Sequence, residues 1–147
     1  MVFRRLRSIF GGGELSAQED SSTLYGLDPE EWERIGTERD PLRGFEAGMA
    51  RNEEAERAVH EGYPERAIEL YETSVAEEFV GSHPYERLAS LYERRRDPAG
   101  ALRVCEAFTE LAASGNMPRG AQRSADRKLP EFEARIERYR RSLDPGR

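Results

Sequence analysis

A chain of 147 residues is one domain's worth, enough for a single modest core and too short for two. With 37% hydrophobic and 35% charged residues it predicts a thin core under a charged surface, and no run approaches the roughly eighteen apolar residues of a membrane span. The lone Cys105 excludes an internal disulfide, and with only two histidines, His60 and His83, a zinc site is excluded as well, so neither metal nor cofactor is expected. The N-terminus lacks the apolar core and small-residue cleavage site of a secretory signal, which makes the cytoplasm the expected compartment. Charge is unevenly spread: residues 1–13 carry +3, residues 14–118 carry −13 and residues 119–147 carry +4. Lys128 is the single lysine among 23 basic residues, a bias that reads as the habit of a GC-rich prokaryotic genome before it reads as function.

In chain order, residues 1–24 read as a basic tip and linker. Phe3, Leu6 and Phe10 share one helical face among Arg4, Arg5 and Arg7; Gly11 to Gly13 then make a joint, and a polar, aperiodic stretch follows. Residues 25–45 read as a short helical segment: Asp28 caps, Pro29 takes the first position, Glu30 and Glu31 fill the first turn, and Trp32 and Ile35 form the apolar side. From about Phe45 to Leu143 apolar residues recur at three and four rather than at two, which predicts an all-α body over residues 46–143 and leaves 144–147 as a tail. Ala67, Ile68, Tyr71, Val75 and Phe79 form one stripe, Leu88, Leu91 and Tyr92 a second, and Ala101, Leu102, Cys105, Phe108 and Ala112 a third. Breaks at Gly62-Tyr63-Pro64, Gly81 to Pro84, Asp97-Pro98 and Ser114 to Pro118 predict helical hairpins. Ala121, Ala125, Leu129, Phe132, Ile136, Tyr139 and Leu143 make one further stripe, a capping helix with a kink or a fresh start at Pro130.

A shift of 34 residues superposes the body on itself, setting Ala55 on Ala89, Ala58 on Tyr92, Ala67 on Ala101 and Tyr71 on Cys105. Small residues are required where two helices approach to roughly 8–10 Å. A 34-residue period with Pro84-Tyr85, Leu88-Ala89, Tyr92, Ala101, Cys105 and Phe108 resembles the tetratricopeptide repeat over residues 45–114. The first copy departs from the pattern, with Arg51 and Glu54 where that family places large apolar residues. The resemblance implies a short α-solenoid of two hairpins, closed at its open end by residues 119–143. It also implies a peptide-binding groove lined by the first helix of each hairpin, here Asn52, Glu56, His83, Arg87, Ser90 and Arg94, with Met49, Val59 and Glu86 beside them. Asn52 and Glu56 stand where the family's chaperone-binding carboxylate clamp calls for Lys and Asn, which argues against that clamp.

No catalytic constellation emerges. Gly11 to Gly13 follows no strand, no histidine pair sits on a helix face, and the paired acids Glu30-Glu31, Glu53-Glu54 and Glu77-Glu78 read as solvated faces. Cys105 lies on a core stripe and reads as a buried thiol. The C-terminal Arg residues are interleaved with Asp126, Glu131, Glu133 and Glu137, and no aromatic platform supports a nucleic acid. The expectation is a non-catalytic module that binds a protein or peptide, preferring one with an acidic group. Arg87, Arg94, Arg119 and Arg123 would face that group, with Tyr85 and Tyr92 as apolar anchors. The alternative is a peripheral membrane adaptor that uses the basic amphipathic N-terminus, and a groove covered by residues 25–45 is a further possibility.

Overall fold

The computed structural model describes residues 33, 34, 37, 38, 40 and 42–144. Among them are five helices and no strand: α1 Phe45–His60, α2 Pro64–Ala76, α3 His83–Arg94, α4 Pro98–Ala113 and α5 Arg119–Leu143. The protein is all-α. The basic tip and most of the helical segment expected around Asp28, Trp32 and Ile35 lie outside the described residues. Of that segment, Glu33 and Arg34 are helical, and the Thr37 amide and hydroxyl both donate to the Arg34 carbonyl, at 3.0 and 2.6 Å.

Proline and backbone handedness fix where the helices begin and end. Pro64, Pro84 and Pro98 stand in the first turns of α2, α3 and α4, where the missing N–H costs nothing. Helices α1, α2 and α3 all close with one device. The amides of Tyr63, Phe79 and Asp97 reach back to the carbonyls of Ala58, Ser74 and Tyr92 at 2.8, 3.0 and 2.9 Å. The residue before each donor is left-handed: Gly62 at φ 87°, Glu78 at 54° and Arg96 at 59°. Asp97 then caps α4 by accepting the Gly100 amide at 2.9 Å.

Each helix packs chiefly on the next in the chain. Ala55 and Ala67 of the first pair, and Ala89 and Ala101 of the second, have no exposed surface. These are the positions that the 34-residue shift superposes, and alanine there lets neighbouring helices approach closely. In the first pair the contact is partly polar: the Ser74 hydroxyl donates to the buried Asn52 carbonyl oxygen at 2.7 Å. Ion pairs Arg51–Glu77 and Arg66–Glu54, at 2.8 and 3.0 Å, flank it. Phe79 stacks on Phe45 with ring centroids 5.2 Å apart. Its ring also lies so close over Gly48 that a Cβ there would stand 2.7 Å from a ring carbon, so only glycine fits. The second pair is aromatic. Tyr85 meets Phe108 edge-on at 5.1 Å, and Phe108 stacks on Phe132 of α5 at 4.2 Å.

Helix α5 covers this second pair with Ala125, Phe132, Ile136 and Tyr139, all buried, while Ala121 and Leu129 pack at the margin. It runs unbroken through Pro130, so no second helix starts at Leu129 or Pro130. Proline there removes the amide that would bond the Asp126 carbonyl; both residues are exposed, so the lost bond falls on the solvent side of the helix. Leu143, expected on the stripe, is 46% exposed. The last turn of α5 still meets α4 through Arg140, which pairs with Glu106 at 3.2 Å.

Candidate functional site

Helices α1, α3 and α5 are not consecutive, yet polar side chains join them along one face. On α3 the residues His83, Glu86, Arg87, Ser90, Glu93 and Arg94 recur at three and four, which places them along one side of the helix, away from buried Leu88 and Ala89. Towards α1, the Arg87 guanidinium lies 3.0 Å from the Glu56 carboxylate and the His83 imidazole 3.8 Å from it. The Tyr71 hydroxyl of α2 donates to the same carboxylate at 2.8 Å, and it stands 3.4 Å from His83 Nε2. Burial of the Tyr71 ring, with the hydrogen bond to Glu56 adding to it, raises the phenol well above its ordinary pKa, so it remains a donor.

Towards α5, Lys128 Nζ reaches Glu86 at 3.2 Å. Arg135 donates to the Ser90 hydroxyl at 2.9 Å and to the Tyr139 hydroxyl at 3.0 Å. Glu93 accepts from both Arg138 and Tyr139. Burial works to raise the Glu93 carboxyl, but the hydrogen bonds from Tyr139 and Arg138 and the charges of Arg135 and Arg138 outweigh it and hold the group below the ordinary carboxylate range. Tyr139 is pushed up to about 12, first by burial and then by its bond to Glu93. Two open hollows follow this seam, one lined by Glu86, Phe132 and Arg135, the other by Glu93, Arg138 and Ser142.

Of the residues expected to line a groove, Glu56, His83 and Arg87 come together, Ser90 sits with Arg135, and Arg94 is exposed at the end of α3. Asn52 does not join them. It is 5% exposed and satisfied by Ser74, so it serves the contact between α1 and α2. The hydroxyls of Tyr85 and Tyr92 turn elsewhere. Tyr85 is buried and donates to the Phe79 carbonyl at 2.9 Å, while Tyr92 donates to Glu72 at 2.9 Å on the side where Arg103 also pairs with Glu72. Glu93, Lys128, Arg135 and Tyr139 belong to the face without having been singled out for it. Their contacts join residues 42 to 46 positions apart, a relation that no local spacing encodes.

Cys105 is fully buried, and burial pushes its thiol up to about 11, which leaves little thiolate at neutral pH. Among the described residues no group of histidine, cysteine or acidic side chains is placed to hold a metal ion, and no helix is long and apolar enough to cross a membrane. Comparison with known proteins gives no match: neither a family model, nor a curated protein, nor a solved structure is similar to this chain.

Proposed function

We propose that this chain is a small, non-catalytic interaction module of tetratricopeptide-like design that binds a peptide segment of a partner protein. In this reading α1 with α2 and α3 with α4 are the two hairpins, and α5 is the cap. The observation that carries it is the division of labour between helices: α1, α3 and α5 together present one polar, partly cationic face, while the alanine contacts and the aromatic stack hold the body together behind it. The recurrence of buried alanine at a 34-residue offset supports the repeat itself. The partner segment carries at least one acidic group, because Arg87 and Arg94 are exposed on that face and a guanidinium holds a carboxylate by two parallel hydrogen bonds. Exposed pairs contribute roughly 0–1 kcal/mol each, so affinity is modest and falls as salt rises.

Crosslinking in extract of the native cell, followed by pull-down, identifies the partner. R87E combined with R94E then weakens its binding, while loss of the exposed Arg87–Glu56 pair lowers the melting temperature only slightly. Unaltered affinity in that double variant removes this face from the reading.

A further inference from the structure

The contact between α1 and α3 is a carboxylate met by a guanidinium and an imidazole, the arrangement that an acidic ligand would itself make. Glu56 comes from α1, and the groups that hold it, Arg87 and His83, come from α3. Tyr71, a fully buried ring on α2, fixes the carboxylate from beneath by its hydroxyl at 2.8 Å. The Glu56 side chain is 28% exposed and therefore held, whereas that of Arg87 is 55% exposed and can swing outward. A guanidinium carries five donors, so meeting one oxygen of Glu56 leaves most of them to water. Each position along α3 offers a different partner: Glu86 turns to Lys128, Ser90 to Arg135, and Glu93 to Arg138 and Tyr139. On this side of α3, Arg87 and His83 are the basic side chains that meet an acid from another helix.

We propose that Glu56 is the internal occupant of this site, an autoinhibitory carboxylate that an acidic peptide must displace from Arg87 and His83 in order to bind. The proposal rests on the peptide-binding reading above and adds its regulation. Binding is then an exchange of one carboxylate for another, with little net gain in ion pairs, so the intact chain takes acidic peptides weakly. Neutralising Glu56 without removing its oxygen frees the Arg87 guanidinium and keeps the acceptor that Tyr71 needs, since a glutamine carbonyl accepts the same hydrogen bond.

The test uses the full chain, its E56Q variant and the E56Q/R87Q double variant, titrated by calorimetry at low salt with an N-acetylated, C-amidated octapeptide of alternating Glu and Ser, and with its Gln counterpart as control. E56Q should bind the acidic peptide about three-fold more tightly than the unaltered chain, within what one exposed ion pair supplies. The gain should vanish in E56Q/R87Q and be absent with the Gln peptide. Measurable but equal affinities for the unaltered chain and E56Q overturn the internal occupancy and leave the peptide-binding reading standing. A gain that survives R87Q overturns it also, and so does the absence of any gain because nothing binds. In the unaltered chain, independently of how well E56Q folds, the Arg87 side-chain Nε–H resonance must move during the titration; a stationary resonance at the highest peptide concentration sinks the proposal.

Discussion

Thirty-four residues separate Tyr63 from Asp97, Pro64 from Pro98 and Ser74 from Phe108, and the backbone treats each pair alike. Tyr63 and Asp97 precede their helices at φ −114° in both cases, with ψ 66° and 78°, and the turn before each closes by the same reach-back hydrogen bond. What fills that shared frame differs. The first pair of helices, α1 and α2, centres on the Asn52–Ser74 hydrogen bond and is flanked by Arg51–Glu77 and Arg66–Glu54. In the second pair, α3 and α4, the residues equivalent to Arg51, Glu54 and Ser74 are Tyr85, Leu88 and Phe108, all but fully buried. One frame therefore tolerates two kinds of interior, because the fully buried alanines set the helix spacing and the remaining positions need only fill or satisfy what is left. The difference also sets which end can carry a cap. Phe108 offers α5 a broad apolar surface on which Phe132 stacks, whereas the equivalent position in the first pair holds the hydroxyl of Ser74.

The largest effect expected from that contrast lies at its centre. Phe108→Ala removes a ring that touches both Tyr85 and Phe132 and should cost about 3–5 kcal/mol. Ser74→Ala, at the equivalent position, leaves the Asn52 carbonyl without its donor and should cost about 1–3 kcal/mol. Adding Asn52→Leu to Ser74→Ala should recover much of that loss, since two apolar groups of similar volume leave nothing unpaired. Urea denaturation of the four proteins decides the matter. Equal costs for Phe108→Ala and Ser74→Ala would show that the two interiors contribute alike, whatever their chemistry.

How far each pair could be read from the chain follows from the same chemistry. Spacing at three and four, with proline opening α2, α3 and α4, is local information, and it located the helices of the body closely. Ala89, Ala101, Cys105 and Phe108 were legible as core because nothing polar competes at those positions. Asn52 was not legible. It lies four residues before Glu56, so helical spacing puts both on neighbouring parts of one face, and only the hydroxyl of Ser74 on the next helix explains why Asn52 turns inward. The seam between α3 and α5 was hidden for a related reason: each of its bonds joins residues 42 or more apart, and an exposed Arg reads the same in sequence whether it meets water or Glu93. The resemblance to the tetratricopeptide repeat named residues of α1 and α3, and the pairing of those residues with one another depends on side chains that the repeat does not specify.

A smaller effect sharpens the comparison at the helix starts. Asp97 caps α4 through the Gly100 amide, and Asp97→Ala should cost about 0.5–2 kcal/mol. Tyr63 occupies the same backbone geometry before α2 with no side-chain cap, and it is 63% exposed, so little packing is lost on replacing it. Tyr63→Asp should therefore stabilise the chain, towards the lower end of that range, because Glu61 and Glu65 lie close in sequence and repel a further acid. Thermal melts at pH 7 measure both. A Tyr63→Asp variant that melts no higher than the parent would show that the shared dihedral angles do not bring a first-turn amide of α2 within reach.

The smallest effect lies at the left-handed residue that ends α1 and α3. Gly62 holds φ 87° without penalty, since it has no Cβ to meet the following carbonyl, whereas Arg96 holds φ 59° in the equivalent turn. A residue with a Cβ gives up about 1–2 kcal/mol in that conformation, and glycine gives back about 0.5–1 kcal/mol through the extra freedom of its unfolded chain. Arg96→Gly should thus stabilise the protein by a few tenths of a kcal/mol to about 1 kcal/mol, and Gly62→Arg should destabilise it by a similar amount. A Cβ at Gly62 meets nothing within 4 Å, so the second substitution tests backbone conformation rather than a clash. Opposite shifts in melting temperature from these two exchanges would establish that the turns are equivalent in energy as well as in shape. A rise from neither would mean that contacts of the Arg96 side chain at the end of α3 compensate the strain of its backbone.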